Sequence, residues 1–283
     1  MNNCLVCGQP MDPSLSPEQT HPACSPSAVF EFEEPYGEDP FNSALKRKLI
    51  EIILWADQQN PRASQIKIGP SEIGDPCDRR IAYRLAGVPA VNVAFDPWAA
   101  IVGTALHSWL ERAVTDWVVA KKDNNWTTEQ TLHIDEFVEG HSDLYSHAEQ
   151  AVIDWKGAGP DVMKKLKRDG PSIGYQIQTH IYGYGFERHG WPVDRVVLAF
   201  LPRAGWLRDM YVWSAPYDRS IAEAAIARVY SIAQRTVELD VLTQSHRWEQ
   251  IDAVPSNACG FCPWYSNIRT AEEGASDKGC PGK

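Results

Sequence analysis

Apolar positions along the chain change their period several times, and each change marks an element. From Phe41 to Gln59, Leu45, Leu49, Ile52 and Ile53 fall on one helical face. A Gly/Pro-punctuated stretch follows, then a short helix through Arg80, Tyr83 and Leu85. Asp96-Pro97 opens a long helix running to about Lys121, with Asp as its cap and Pro in its first turn. Strand-like runs then occupy 129–138, 141–146 and 150–156. Helical spacing returns near 160–168 and 172–189, strands at 194–201 and 207–214, and a last helix at about 217–238. Helix, three strands, helix, two strands, helix predicts an α/β fold, a mixed sheet flanked by helices. Outside that pattern, residues 1–28 are Pro-, Ser- and Cys-rich. Residues 29–40 (VFEFEEPYGEDP) read as an acidic, Pro-broken linker, and the tail is irregular and Cys-rich. There is no internal repeat.

Length and composition bound this picture. The chain has 283 residues, enough for one large domain with attachments or two small domains, and eleven Trp supply ample apolar area. No run of eighteen apolar residues predicts a membrane span. The start, MNNCLVCGQP, lacks a basic segment followed by an apolar one, so the expected compartment is the cytoplasm, where thiols stay reduced. A net charge of −10 argues at first against a nucleic-acid partner. Seven of the acids lie in residues 1–40, which have no Lys or Arg, so the remainder is close to neutral. A near-neutral domain binds DNA through a local basic surface, and charge alone neither supports nor excludes it.

The stretch EGHSDLYSHAEQAVIDWK, residues 139–156, carries the chemistry. In a strand, Val152, Asp154 and Lys156 share one face while Ile153 and Trp155 point the other way. Asp143, eleven residues before Asp154, is placed to be a hairpin partner. Two carboxylates brought together repel unless a cation lies between them, and hard Mg²⁺ or Mn²⁺ prefers such oxygens. Such an ion polarises a phosphate oxygen and lowers the pKa of bound water, and Lys156 then orients that water or offsets phosphate charge. The bland alternative is a surface hairpin with ordinary charges. Gly103, His107 and Glu111 follow one face of the long helix at i, i+4 and i+8. His107 is a candidate metal ligand and Glu111 a supporting or second-metal group, or the pair is a satisfied His and a solvated Glu. Gln178 and Tyr182 lie one turn apart on the later helix, as site residues or as an amphipathic edge.

Taken in order, G-x-x-x-H-x-x-x-E (103–111), G-x-x-D (140–143), I-D-W-K (153–156) and Q-x-x-x-Y (178–182) resemble the RecB-like branch of the PD-(D/E)XK nucleases over about residues 70–283. The resemblance implies the restriction-endonuclease-like core, a central mixed sheet between helices. It implies metal binding by His107, Asp143, Asp154 and the Trp155 carbonyl, with Lys156 as catalytic lysine. Gln178 would steady the reacting centre and Tyr182 would contact it or the DNA. Glu111 completes the implied set.

Seven cysteines, at 4, 7, 24, 77, 259, 262 and 280, suit metal better than disulfides. Cys77 precedes the core, while Cys259-x-x-Cys262 and Cys280 follow it. Four thiolates suit a [4Fe–4S] cluster or zinc, and the bland reading is unrelated buried Cys. One Cys before such a core and three after it is similar to the iron–sulfur nucleases, including CRISPR-associated RecB-like exonucleases and phage-encoded relatives. Seventeen residues between Cys262 and Cys280 exceed the compact pattern of that group. A cluster here would staple a long loop. In front, Cys4-x-x-Cys7 and His21-x-x-Cys24 have the spacing of a zinc knuckle, or are chance Cys in a tail. With no Lys or Arg nearby, that module suits a protein partner better than phosphate.

Three divisions follow: a zinc module (1–28), a linker (29–40) and a nuclease domain closed by a cluster (41–283). Lys164 and Lys165 on the helix after the Asp154 strand, and Arg79 and Arg80 beside Cys77, are candidate DNA contacts, or solvated charges. The expected activity is metal-dependent DNA cleavage, and the resemblance implies an exonuclease on single-stranded or end-bearing DNA in phage-type recombination or replication. In that case the compartment is the host cytoplasm. The alternative is a non-catalytic DNA-binding or adaptor protein on the same fold. Polarity and oligomeric state leave no mark in the sequence.

Overall fold

The computed structural model describes residues 39–59, 67–92, 96–266 and 279–282. The chain divides into two compact units, residues 1–65 with 92–97 and residues 66–91 with 98–283. In the first, the described structure is helix α1 (Pro40–Gln58). Asp39 opens it by accepting the Phe41 N–H at 2.8 Å, with Pro40 in the first turn. The second unit contains all the elements that follow.

Its elements are α2 (Pro70–Ile73), α3 (Asp78–Leu85), α4 (Trp98–Lys121), β1 (Trp126–His133), β2 (Glu139–Ser146), β3 (Ala151–Ala158), α5 (Pro160–Asp169), α6 (Ile173–Arg188), β4 (Arg195–Pro202), β5 (Tyr211–Pro216) and α7 (Arg219–Glu238). The strands form one sheet in the order β1-β2-β3-β4-β5. β3 and β4 run parallel and every other pair is antiparallel. Hairpins join the antiparallel neighbours, whereas a parallel pair needs a crossover, supplied here by α5 and α6. This is the mixed sheet between helices that the hydrophobic periods predict.

Each face of the sheet has its own cover. Val152, Asp154 and Lys156 alternate with Ile153, Trp155 and Gly157 along β3. α6 lies over the first set: Phe186 packs on Tyr145 at 4.8 Å between centroids, and Ile181 is fully buried. α5 covers the far half of that face, burying Met163 and Leu166 against Ala158, Leu198 and Phe200. α7 backs α6, with Ala222, Ile226 and Val229 in the same core. Each large apolar side chain so buried contributes about 1.5–3 kcal/mol. α4 lies on the opposite face, where Leu106 meets β3 at Gly157.

Two strand boundaries differ most from the sequence expectation. The run 129–138 does not continue as a strand past His133, because the Asp135 carboxylate accepts the N–H groups of Phe137 and Val138 at 2.9 and 3.0 Å and closes a turn. The expected strand 207–214 begins only at Tyr211. Gly205, at φ +103°, turns the chain, and Leu207–Asp209 forms a 3₁₀ turn in which Asp209 N–H bonds the Trp206 carbonyl at 2.9 Å. The apolar pair Trp206-Leu207 mimics strand sequence but lies in the connection.

The C-terminal segment folds back on α3. Arg79 N–H donates to the Asp252 carbonyl, and Trp264 Nε1 to the Val88 carbonyl. Tyr83 packs between Trp248 and Trp264, with centroids 4.2 and 5.8 Å away. Among the described residues, no helix is long and apolar enough to cross a membrane.

Candidate active site

A split in the sheet builds the site. β2 and β3 pair for only three rungs, ending at Leu144 opposite Ile153. One more rung would set Asp143 opposite Asp154. β2 stays paired with β1 beyond that point, but Glu129, which would face Asp143 there, has φ +49° and drops out of the register. Asp143 therefore sits where β2 is paired on neither side. Its Oδ2 accepts the Trp155 N–H at 2.8 Å, so a side chain takes the place of a ladder bond.

Two helices bring the remaining groups to this split. From α4, His107 Nδ1 lies 2.8 Å from Asp143 Oδ1. From α6, Gln178 Nε2 donates to Asp154 Oδ1 at 3.0 Å. Lys156 Nζ stands 2.7 Å from Asp154 Oδ2. This approach is an ion pair rather than a directed hydrogen bond, since Asp154 Oδ2 is buried without a hydrogen-bond partner. The Lys156 ammonium also rests over the Tyr175 ring, 5.4 Å from its centroid.

Electrostatics follow from burial and crowding. Asp154 is 2% exposed, and burial pushes its carboxyl up from the usual carboxylate range. Lys156 opposes that shift and Asp143 adds to it. Burial alone would lower the Lys156 pKa, but the close negative charge of Asp154, with Asp143 behind it, leaves it raised. The bond to Asp143 raises His107 against the effect of its own burial. Burial, then Asp154 and Asp143, push the Tyr182 phenol far up, so it stays neutral.

Among the described residues, no three His, Cys, Asp or Glu side chains stand as a ready cage for one ion. At this site the donors hold each other, His107 on Asp143 and Lys156 on Asp154. The donor chemistry still suits a hard divalent cation: two carboxylates meet at the split, and one buried oxygen, Asp154 Oδ2, keeps lone-pair capacity. Trp155, whose carbonyl the resemblance implicates, contributes its N–H to the arrangement.

A second constellation lies at α3 and the tail. Cys77, Cys259, Cys262 and Cys280 line one cavity of about 110 Å³, together with Tyr83 and Arg80. None of the four is in a disulfide. An isolated bridge between Tyr265 and Cys280, with Cys280 N–H on the Trp264 carbonyl at 2.6 Å, returns Cys280 to the neighbourhood of Cys262. The long spacing between them is thereby closed. Burial raises the Cys262 thiol pKa. It also raises the Tyr83 phenol to about 12, with Cys280 adding to the effect.

The other expected residues divide. Arg79 is 5% exposed and turned inward, its guanidinium donating to the Ile251 and Glu249 carbonyls and to Cys280 Sγ. The Arg79 guanidinium, expected as a phosphate contact, is here committed to carbonyls and turned away from solvent. Arg80 pairs with Asp75 at 2.7 Å. Tyr182 is 7% exposed and faces Gly140, which puts it under the site rather than on a DNA surface. Lys164 and Lys165 are exposed on α5, Lys164 beside Asp161 at 3.2 Å. Glu111 is half-buried on α4, and its carboxylate makes no ion pair or hydrogen bond with the cluster. Cys4, Cys7, His21 and Cys24 lie outside the described residues.

Tyr175 and Glu129 are site neighbours that the sequence reading missed. Tyr175 carried a signal, since it precedes Gln178 and Tyr182 at i, i+3 and i+7 on one face of α6. Glu129 carried none, because a left-handed residue inside a strand pattern is invisible to periodicity.

No family model matches the chain, and no curated protein matches it. Among solved structures it is similar to an alkaline exonuclease from Laribacter hongkongensis, at 13% identity and a TM-score of 0.45, covering 65% of this chain and 95% of that one. It is also similar to a phage-related exonuclease from Haemophilus somnus 129PT, at 17% identity and a TM-score of 0.42, covering 63% of this chain and 96% of that one.

Proposed function

We propose that this protein is a divalent-metal-dependent deoxyribonuclease acting as an exonuclease on single-stranded or end-bearing DNA, in phage-type recombination or replication. One observation carries the reading: His107, Asp143, Asp154, Lys156 and Gln178, scattered over four elements, meet at the split between β2 and β3. Two buried acids, a lysine and a histidine gathered where a ladder is broken are costly to a fold and are accounted for by chemistry.

In this reading Asp143, Asp154, His107 and the Trp155 carbonyl hold Mg²⁺ or Mn²⁺. The ion supplies Lewis acidity at the scissile phosphate and a lowered pKa for bound water. Gln178 holds one Asp154 oxygen, so the other points consistently into the site. Lys156, aligned by Asp154 and Tyr175, presents a cation to the charge that develops on the phosphate. Asp143, held by the Trp155 N–H, fixes the position of His107. Tyr182 shields the floor of the site from water.

The four cysteines around the cavity suit a [4Fe–4S] cluster in a structural role. Four cysteines lining one cavity match the usual ligand number of such a cluster, a number that zinc shares. For Cys4, Cys7, His21 and Cys24 the proposal is zinc, in a module that meets a protein partner.

The deciding test uses labelled single- and double-stranded DNA, linear and circular, with Mg²⁺ or Mn²⁺. Wild type is expected to degrade linear DNA and Asp154→Ala is not. Cutting of circles would replace the exonuclease reading with an endonuclease. Absence of any metal-dependent cutting would leave a DNA-binding protein.

A further inference from the structure

The connection between β4 and β5, Arg203-Ala-Gly-Trp-Leu-Arg208, presents large apolar and cationic side chains together. Trp206 is 66% exposed and Leu207 69%. Neither helps the core, and an exposed Trp is more readily explained by a partner than by packing. Gly205, at φ +103°, and the 3₁₀ turn at Leu207–Asp209 hold the tip in shape. The Arg208 guanidinium lies over the Trp206 ring, 4.9 Å from its centroid. That contact covers one ring face with a cation and leaves most of the residue open.

The position of the loop ties it to the site. β4 runs parallel to β3, with Pro202 paired to Ala158, so the loop leaves the sheet at the end where the Asp154-Lys156 strand finishes. Arg203 N–H bonds the Ala158 carbonyl at 2.9 Å. A Cβ on Gly157 would meet Leu106 Cδ2 at 3.1 Å and Arg203 Cγ at 3.4 Å. The Arg203 side chain thus lies against Leu106 and Gly157, the chain neighbours of His107 and Lys156. Among the described residues, neither Arg203 nor Arg208 has a carboxylate within ion-pair distance.

We infer that this loop is a base-stacking contact for unpaired DNA next to the candidate site, with Trp206 stacking on a base and Arg203 and Arg208 meeting the flanking phosphates. The inference rests on the DNA-cleaving reading and adds to it the surface that takes the single strand. An aromatic ring backed by arginine suits nucleic acid because every base offers a π-face and every linkage an anion. An apolar protein partner would leave both guanidinium groups without a counter-charge.

The test measures binding of a fluorescein-labelled single-stranded oligonucleotide and of a blunt duplex to the full chain, with no divalent metal added. Trp206→Ala is expected to weaken single-strand binding about tenfold, within the range for loss of one stacked base. Trp206→Phe is expected to retain most of the affinity. Thermal unfolding of both variants should match wild type, since the side chain is exposed. Arg203→Gln and Arg208→Gln should each reduce the salt dependence of log Kd by a slope of about 1. Unchanged single-strand affinity in Trp206→Ala would overturn the inference, and so would an equal loss on blunt duplex. A change of oligomeric state in Trp206→Ala with DNA affinity intact would assign the loop to a second copy of the chain and overturn it too. If wild type cuts and binds DNA while Trp206→Ala binds equally well, only this inference falls. If wild type neither cuts nor binds, the nuclease reading falls with it.

Discussion

Asp143 accepts the backbone N–H of Trp155 at 2.8 Å, just beyond the last paired rung of β2 and β3. A side chain thus closes a gap that the backbone leaves open, and its second oxygen remains for His107. Asp143→Ala removes both bonds and leaves a half-buried N–H unsatisfied, at a cost of about 1 kcal/mol. Asp143→Asn retains an acceptor for Trp155 but loses the charge. The expected result is that both abolish metal-dependent cleavage while only Asp143→Ala lowers the thermal midpoint appreciably. Cleavage assays and thermal unfolding of the two variants check it.

Gly140 is fitted to its surroundings rather than to a turn. A Cβ there would lie 2.6 Å from Pro70 Cδ and 3.0 Å from Tyr182 Cε1. Gly140→Ala must displace the ring of Pro70 or tilt Tyr182, the neighbour of Gln178 on α6. Overpacking of this kind costs roughly 1–3 kcal/mol. The midpoint is expected to fall, and the cleavage rate to fall with it as Gln178 loses its alignment on Asp154. A midpoint equal to wild type would show that the β2–α2–α6 junction is looser than these distances imply.

A pH response away from the site comes from His180. It is 3% exposed, and its Nδ1 accepts the Asp218 N–H at 3.2 Å, which requires an unprotonated nitrogen. Tyr217 stacks on the ring at 6.1 Å. Burial holds its pKa below the usual histidine value, against a smaller opposing effect of Asp218. A histidine depressed in the folded state stabilises the fold above its unfolded pKa, about 6.5, and loses that contribution as pH falls. The stability of wild type should therefore decline as pH falls below about 6.5, and His180→Gln should flatten that decline. Thermal unfolding across this range measures both.

The cysteine cavity makes a compositional prediction. Cys77→Ala should lose iron, brown colour and thermal stability together, because Cys77 caps α3 while its three companions belong to the tail. Iron analysis and visible absorption check this. Full iron content in the variant would remove Cys77 from the ligand set. In the full chain, Cys4→Ser should lower zinc content and leave iron unchanged.

Much of the architecture was legible before any coordinates. A two-residue period can only be satisfied by a strand with one buried face, so Val152, Asp154 and Lys156 had to project together. The 3.6-residue period likewise placed His107 and Gln178 on faces of their helices. These are local consequences of backbone geometry, and they place the acids, the lysine, the histidine and the glutamine on their faces. Meeting in space is not local. The early end of the β2–β3 ladder, the left-handed Glu129 opposite Asp143 and the inward turn of Arg79 arise from packing between segments distant in the chain. So do the return of Cys280 to Cys262 through Tyr265, and the exposure of Leu207 where the pattern had drawn a strand. Sequence period reports which face a residue occupies. Only tertiary packing decides what that face meets, because burial and hydrogen-bond satisfaction are settled over the whole core at once.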